Sequence, residues 1–89
     1  MDKLQELRNQ IDELDDQLLD VLCKRLQVVS EVGKIKKERM LPPLDASRWA
    51  HVLEDRLQKA DMYGLKREFV KTILDTIHSE ALRIEKSII

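Results

Sequence analysis

Four cationic side chains stand at spacings that could bring them to one small anion. Arg25 and Lys36 are eleven residues apart, so on an ideal helix they share a face to within about 20° with Cα atoms about 16 Å apart. Arg48 follows a break in the helical pattern and could fold back toward them. Arg8 lies about 25 Å before Arg25 along the helix axis. It could reach the same ligand only from a second, antiparallel copy of the chain.

These cations also have a simpler interpretation as a solvated face, because most Lys and Arg in helices extend their charged ends into water. A cluster of them also suits the negative end of a helix dipole, and four lie close together here: Lys34, Lys36, Lys37 and Arg39. Only Lys36 of this cluster continues the phase of Arg25.

The other polar candidates are weaker. Glu85 shares a helical face with His78, Ala81 and Leu82 near the end of a mostly apolar stripe, where a solvated carboxylate is the simpler alternative to a site residue. His51 and His78 lack the partner spacing of metal ligands. We therefore predict no metal site.

Composition excludes several classes of function. The 89 residues carry a net charge of −1 and only 3% aromatic residues, which argues against binding to nucleic acid. No apolar run approaches the roughly 20 residues of a membrane span, and the N-terminus shows no signal-peptide pattern. With Cys23 as the single cysteine, the expectation is a cytoplasmic protein without an internal disulfide.

The hydrophobic periodicity predicts an all-α domain over residues 1–89, with one long and two shorter helices. The first runs from Asp2 to about residue 39 and ends before Pro42 and Pro43. The second follows an N-cap at Asp45 and runs to about residue 63, and the third spans about residues 66–87. A first helix of about 55 Å is too long for a domain of this size. We therefore expect a helical homodimer with intertwined chains.

Taken in order, these residues resemble the all-α chorismate mutases over nearly the whole chain. The resemblance is carried by Leu7-Arg8, Ile11-Asp12, Asp15, Leu18, Leu22, Arg25, Glu31-Val32-Gly33-Lys34-Ile35-Lys36, the two prolines, and Asp45 with Arg48. It implies conversion of chorismate to prephenate without a cofactor, in a dimer with two equivalent sites.

The resemblance also implies the role of each residue. Arg8 of the partner and Arg25 would bind the substrate carboxylates with the help of Arg48, and Asp45 would approach the ring hydroxyl. Lys36 would donate to the ether oxygen, and Glu85 would stand beside that oxygen. Val32 and Leu82 would form the apolar wall.

Three residues depart from the family pattern. Trp49 occupies the position of a common Glu that contacts the ring hydroxyl, and Ala81 that of a common Ser. Glu85 replaces a Gln that donates to the ether oxygen, and a carboxyl group can donate there only when it is protonated.

A later stretch resembles the mutase domain that follows a DAHP synthase domain in certain bifunctional enzymes. It comprises Glu54-Asp55-Arg56, Gly64-Leu65, Glu68-Phe69-Val70-Lys71 and Ile77-His78. Fusion to, or association with, a DAHP synthase domain is thus expected. Two alternatives stay open: an isochorismate-pyruvate lyase, which shares the fold and the arginines, and a non-catalytic helical dimerisation or regulatory domain, which Trp49 and Glu85 would favour.

Overall fold

The computed structural model describes residues 2–89, and all regular structure within them is helical. Helix α1 spans Lys3–Glu38, α2 spans Ala46–Met62 and α3 spans Arg67–Ile88. The predicted all-α fold with one long and two shorter helices is confirmed.

The ends of α1 follow from local hydrogen bonding. At the start, the Asp2 side chain accepts a hydrogen bond of 2.7 Å from the Gln5 amide, which satisfies one of the free donors of the first turn. At the end, Met40 takes a left-handed conformation with φ of 57°. The Leu41 amide then donates back to the Lys36 carbonyl at 2.8 Å. Pro42 and Pro43 cannot continue the helix.

The connection between α2 and α3 is a tight turn around Gly64. Its φ of 72° lies in the left-handed region that glycine adopts without strain. The Leu65 amide donates to the Ala60 carbonyl at 2.9 Å, which closes the end of α2. Beyond the turn, Arg67 contacts Asp61 and Glu54 of α2.

Helix α3 packs against both α1 and α2. A Cβ built on Gly33 of α1 would lie 3.0 Å from Ile88 Cδ1 and 3.4 Å from Glu85 Cα, so the glycine permits the close approach of α3. The interior is small, and the buried residues are Gly33, Leu57, Ala60, Ala81 and Glu85.

The chain is elongated, and the first half of α1 is covered by neither of the other helices. The molecule measures 57 × 25 × 15 Å, and its radius of gyration of 16.6 Å exceeds the roughly 12 Å of a compact domain of this length. Apolar side chains spaced three or four residues apart lie exposed along this half: Leu4, Leu7, Ile11, Leu14 and Leu18. A stripe of this length resembles half of a helix–helix interface.

None of the helices described within residues 2–89 has both the length and the hydropathy needed to cross a membrane.

Candidate active site

A cavity of about 200 Å³ lies where the second half of α1, the start of α2 and the second half of α3 meet. Six of the eight residues predicted for the site line this cavity: Arg25, Val32, Lys36, Asp45, Arg48 and Glu85. All three helices contribute residues to it. The start of α2 lies near the end of α1, because the connecting loop folds back so that the carbonyl of Pro43 contacts Lys36.

Lys36 lies at the centre of the polar contacts. Its Nζ atom is 2.6 Å from Glu85 Oε1 and donates a hydrogen bond of 2.5 Å to the carbonyl of Pro43. The Lys36 side chain is 19% exposed and that of Glu85 is 8% exposed. An ion pair so far removed from solvent is screened much less than a surface pair.

Glu85 is the buried charged residue of the described chain. Its Oε1 atom lies close enough to Lys36 for ion pairing, yet no donor within residues 2–89 meets it at hydrogen-bonding angles. This oxygen is enclosed beside the Lys36 ammonium, and the carboxyl group can donate a hydrogen bond only when it is neutral.

Asp45 holds the start of α2 at the edge of the cavity. Its carboxylate accepts hydrogen bonds from the Arg48 amide at 3.1 Å and from the Ser47 hydroxyl at 3.0 Å. The Arg48 amide and then the Ser47 hydroxyl hold the pKa of Asp45 below its ordinary value. An ionised N-cap fixes the first turn of α2, and with it the backbone that carries Arg48.

Arg25 and Arg48 supply positive charge that the cavity does not neutralise. Both are exposed, and neither has a carboxylate within 4.0 Å among residues 2–89. Guanidinium groups without a carboxylate partner can pair bidentately with a carboxylate from solution. The geometry therefore suits a small anionic ligand.

Trp49 and His78 form a wall of the cavity, and their contact with each other was not predicted from the sequence. Their rings stack with centroids 3.8 Å apart and planes 4° apart. Burial lowers the pKa of His78, while the carboxylate of Glu85 opposes that shift. Two signals pointed to these positions: the resemblance placed Trp49 where a substrate-contacting Glu is common, and His78 precedes Glu85 by seven residues, or two turns of one helical face.

Two predicted residues lie outside the cavity of the single chain. Arg8 is exposed on the first half of α1, about 25 Å along the helix axis from Arg25. Leu82 is half-buried on α3 but is not part of the cavity wall. Conversely, Arg56 lines the cavity without having been predicted, and it is also paired with Asp55 at 2.6 Å.

Within residues 2–89, no three His, Cys, Asp or Glu side chains are grouped so that they could hold a metal ion.

Comparison with known proteins identifies the family. The family model described as chorismate mutase type II matches residues 7–86. The chain is 36% identical over 83 residues to a T-protein of Enterobacter agglomerans, covering 93% of this chain and 22% of that protein. It is 34% identical over 92 residues to a bifunctional chorismate mutase/prephenate dehydratase of Aquifex aeolicus, covering 99% of this chain and 25% of the other. It is 32% identical over 84 residues to a 4-amino-4-deoxychorismate mutase of Streptomyces pristinaespiralis, covering 94% and 65%. The chain thus spans about a fifth to a quarter of the two longer relatives.

Proposed function

We propose that this chain, which belongs to the chorismate mutase type II family, rearranges chorismate to prephenate for aromatic amino-acid biosynthesis. The reaction would take place in the cavity that Arg25, Lys36, Arg48 and Glu85 line. The observation that supports this most directly is the combination of a half-buried Lys36 with two arginines that have no carboxylate within 4.0 Å among residues 2–89.

The charges of the cavity fit the substrate. Chorismate carries two carboxylates, which Arg25 and Arg48 can bind through their guanidinium groups. Binding both ends of the molecule restricts it to the compact conformer that reacts, so part of the barrier is removed by orientation alone. Val32 supplies apolar surface on the same wall.

The chemistry needs only fixed charges. Within one molecule a C–O bond of the ether breaks while a C–C bond forms, so no atom or electron enters or leaves. Negative charge builds on the ether oxygen as the bond breaks, and the Lys36 ammonium can donate a hydrogen bond to it. A protonated Glu85 could donate to the same oxygen, whereas its carboxylate would repel the developing charge.

We propose that residues 1–89 form one domain and that its functional unit is a homodimer. The exposed apolar stripe on the first half of α1 supports this, since a second copy would cover it. Arg8 stands on the same part of α1, with no carboxylate within 4.0 Å among residues 2–89. In an antiparallel pair Arg8 would reach the cavity of the other chain and add a third arginine that can bind a substrate carboxylate.

We further propose that the domain works in a longer enzyme or beside one. The two longer relatives support an attached domain, and the name of one of them states a prephenate dehydratase. For this chain the resemblance of the stretch from Glu54 to His78 favours a DAHP synthase partner. A cytoplasmic location stays a prediction.

The decisive experiment is incubation of the purified protein with chorismate while its disappearance and prephenate formation are followed. A parallel incubation with isochorismate tests whether the protein is an isochorismate-pyruvate lyase. Another with 4-amino-4-deoxychorismate tests the substrate in the name of the Streptomyces relative. We expect turnover of chorismate to prephenate. Lys36→Ala is the negative control, and Lys37→Ala is its matched surface control. A folded protein that leaves all three compounds unchanged would instead be the non-catalytic helical module.

A further inference from the structure

The stack of Trp49 on His78 joins two helices at the cavity, yet the proposed chemistry uses neither ring. Trp49 belongs to α2 and His78 to α3, and both are half-buried in the cavity wall. Near-parallel rings with centroids 3.8 Å apart are in full face contact. The stack is therefore a direct contact between α2 and α3 beside the cavity.

The stack stands between two charged groups of the site. Trp49 directly follows Arg48 in the first turn of α2, and His78 lies two turns before Glu85 on α3. Any change in the ring separation therefore moves the backbone of Arg48 relative to the Lys36–Glu85 ion pair. Asp45 caps the start of this turn, and Lys36 holds the preceding loop through the Pro43 carbonyl, so the stack is the direct contact of this turn with α3.

We propose that Trp49 and His78 are a positioning pair for the site: their stack sets the place of Arg48 relative to Lys36 and Glu85, and thereby the fit of the dicarboxylate substrate. This inference rests on the proposed mutase function. The two rings act through Arg48 and are not assigned a contact with the reacting atoms.

The surroundings of His78 favour its neutral form. Burial lowers the pKa of His78, the positive charges of Arg25 and Lys36 add to that effect, and Glu85 and Asp75 oppose it. The charged groups contributed from the α2 side of the cavity are Asp45, Arg48 and Arg56. A neutral imidazole can stack on indole without bringing another cation next to Arg25. Because the lowered pKa lies below 6.5, the uncharged stack prevails at neutral pH.

The kinetic test compares variants that keep a flat ring with variants that lose it. Trp49→Phe and His78→Phe should keep kcat and KM for chorismate within about threefold of the parent at pH 7.5. Trp49→Leu and His78→Gln should raise KM about tenfold, equivalent to about 1.4 kcal/mol of binding, with a smaller change in kcat. Such a split marks lost binding rather than lost chemistry. Tyr63→Leu, at an exposed aromatic residue at the end of α2, should change neither constant.

A spectroscopic test reads the stack directly, because Trp49 is the only tryptophan of the chain. An imidazolium ring in face contact quenches indole emission more than neutral imidazole does. Emission of the parent should fall as the pH is lowered through the His78 titration, at a midpoint below 6.5. Folding is checked by circular dichroism at each pH. His78→Phe and His78→Gln should lose this transition.

The outcomes separate this proposal from the proposed function. An active parent whose folded Trp49→Leu and His78→Gln variants keep the parental KM overturns the positioning pair and leaves the mutase function standing. A parent that does not convert chorismate overturns both. Should Trp49→Leu fail to fold, His78→Gln decides the matter alone. A parental emission that does not change with pH contradicts the stack itself.

Discussion

Lys36 on α1 and Glu85 on α3 form an ion pair with Nζ 2.6 Å from Oε1, and both side chains are largely removed from solvent. Gly33, three residues before Lys36, allows the two helices to approach closely enough for this contact. Arg25 and Arg48 are then the cations of the cavity that have no carboxylate within 4.0 Å in the described part of the chain. The chemistry of the site thus depends on how Lys36 and Glu85 share charge when a substrate is bound.

Replacing Lys36 should impair the transition state more than substrate binding. Charge on the ether oxygen grows as the bond breaks, so the ammonium interacts most strongly at that point. Lys36→Ala should lower kcat/KM by at least about 100-fold, as loss of one oxyanion donor does. The measurement is chorismate turnover, with circular dichroism to verify the helices. Lys37→Ala, one exposed residue further along α1, should stay near the parent. A loss below tenfold for Lys36→Ala would remove Lys36 from the mechanism.

A side chain larger than a methyl group at position 33 should push α3 away from α1. In Gly33→Ala the new methyl group would lie 3.0 Å from Ile88 Cδ1, the mobile end of a side chain, and in ordinary van der Waals contact with Glu85 Cα at 3.4 Å. Alanine also favours a helix over glycine by about 1 kcal/mol, so this variant should keep the parental Tm or exceed it. Gly33→Leu adds three more carbon atoms and should cost about 1–3 kcal/mol by overpacking.

The readouts for Gly33 are Tm at equal protein concentration and kcat/KM. Gly33→Leu should lower both Tm and kcat/KM, because it also separates Lys36 from Glu85. Lys37→Leu places the same side chain on the exposed face of α1 and should lower neither Tm nor kcat/KM. Full activity in Gly33→Leu would mean that the close approach of α1 and α3 is not required.

Mixing two inactive variants should restore activity if each site takes Arg8 from the partner. Chains carrying Arg8→Ala and chains carrying Lys36→Ala can form a heterodimer in which one of the two sites has neither lesion. At equal amounts and free exchange, half of the dimers are mixed, so about a quarter of the parental activity should return.

Arg25→Ala mixed with Lys36→Ala is the matched control for this exchange. Both residues line the cavity of one chain, so no heterodimer of these two variants has an intact site. If subunits demonstrably exchange and the Arg8 mixture stays inactive, the shared site is excluded.

Much of the fold could be predicted because it depends on local signals. The period of the apolar residues, Pro42 and Pro43, and the cap at Asp45 act within a few residues of the helix ends that they determine. Phase along one helix also indicated that Arg25 and Lys36 share a face. The contact of Trp49 with His78 could not be predicted in this way. It joins residues 29 positions apart, and no periodicity encodes which turn of α2 meets which turn of α3.

Acid should weaken the start of α2 through Asp45. Hydrogen bonds from the Arg48 amide and the Ser47 hydroxyl lower its pKa below the ordinary 3.8. A carboxyl group with a lowered folded-state pKa contributes stability that is complete above 3.8 and is lost as the pH falls through the folded value. Asp45→Asn keeps a capping acceptor that does not titrate.

The measurement for Asp45 is Tm without substrate from pH 2 to 6. The parent should exceed Asp45→Asn most at pH 6, and this advantage should shrink toward pH 2. Glu38→Gln removes an exposed carboxylate at the end of α1 and should follow the parent throughout. A constant difference between parent and Asp45→Asn would show that the charge of Asp45 does not act on α2.

The charge of Glu85 should limit the rate of the reaction. Glu85 can donate a hydrogen bond to the ether oxygen only while it carries a proton, and once ionised it repels the charge that develops there. The ionised form also competes for the Lys36 ammonium, which already lies 2.6 Å from Oε1. We therefore expect the negative charge of Glu85 to hold kcat/KM below that of a variant with a neutral hydrogen-bond donor at this position.

Three proteins test this effect. Glu85→Gln keeps the shape, supplies a permanent N–H donor and leaves Lys36 free of the ion pair, so its kcat/KM should equal or exceed that of the parent at pH 7.5. Glu85→Ala should be poor, because it removes the polar group together with the side chain that fills this part of the cavity. Turnover of chorismate by all three proteins is measured at pH 7.5, with folding verified by circular dichroism. If Glu85→Gln is no more active than Glu85→Ala, Glu85 does not act on the ether oxygen.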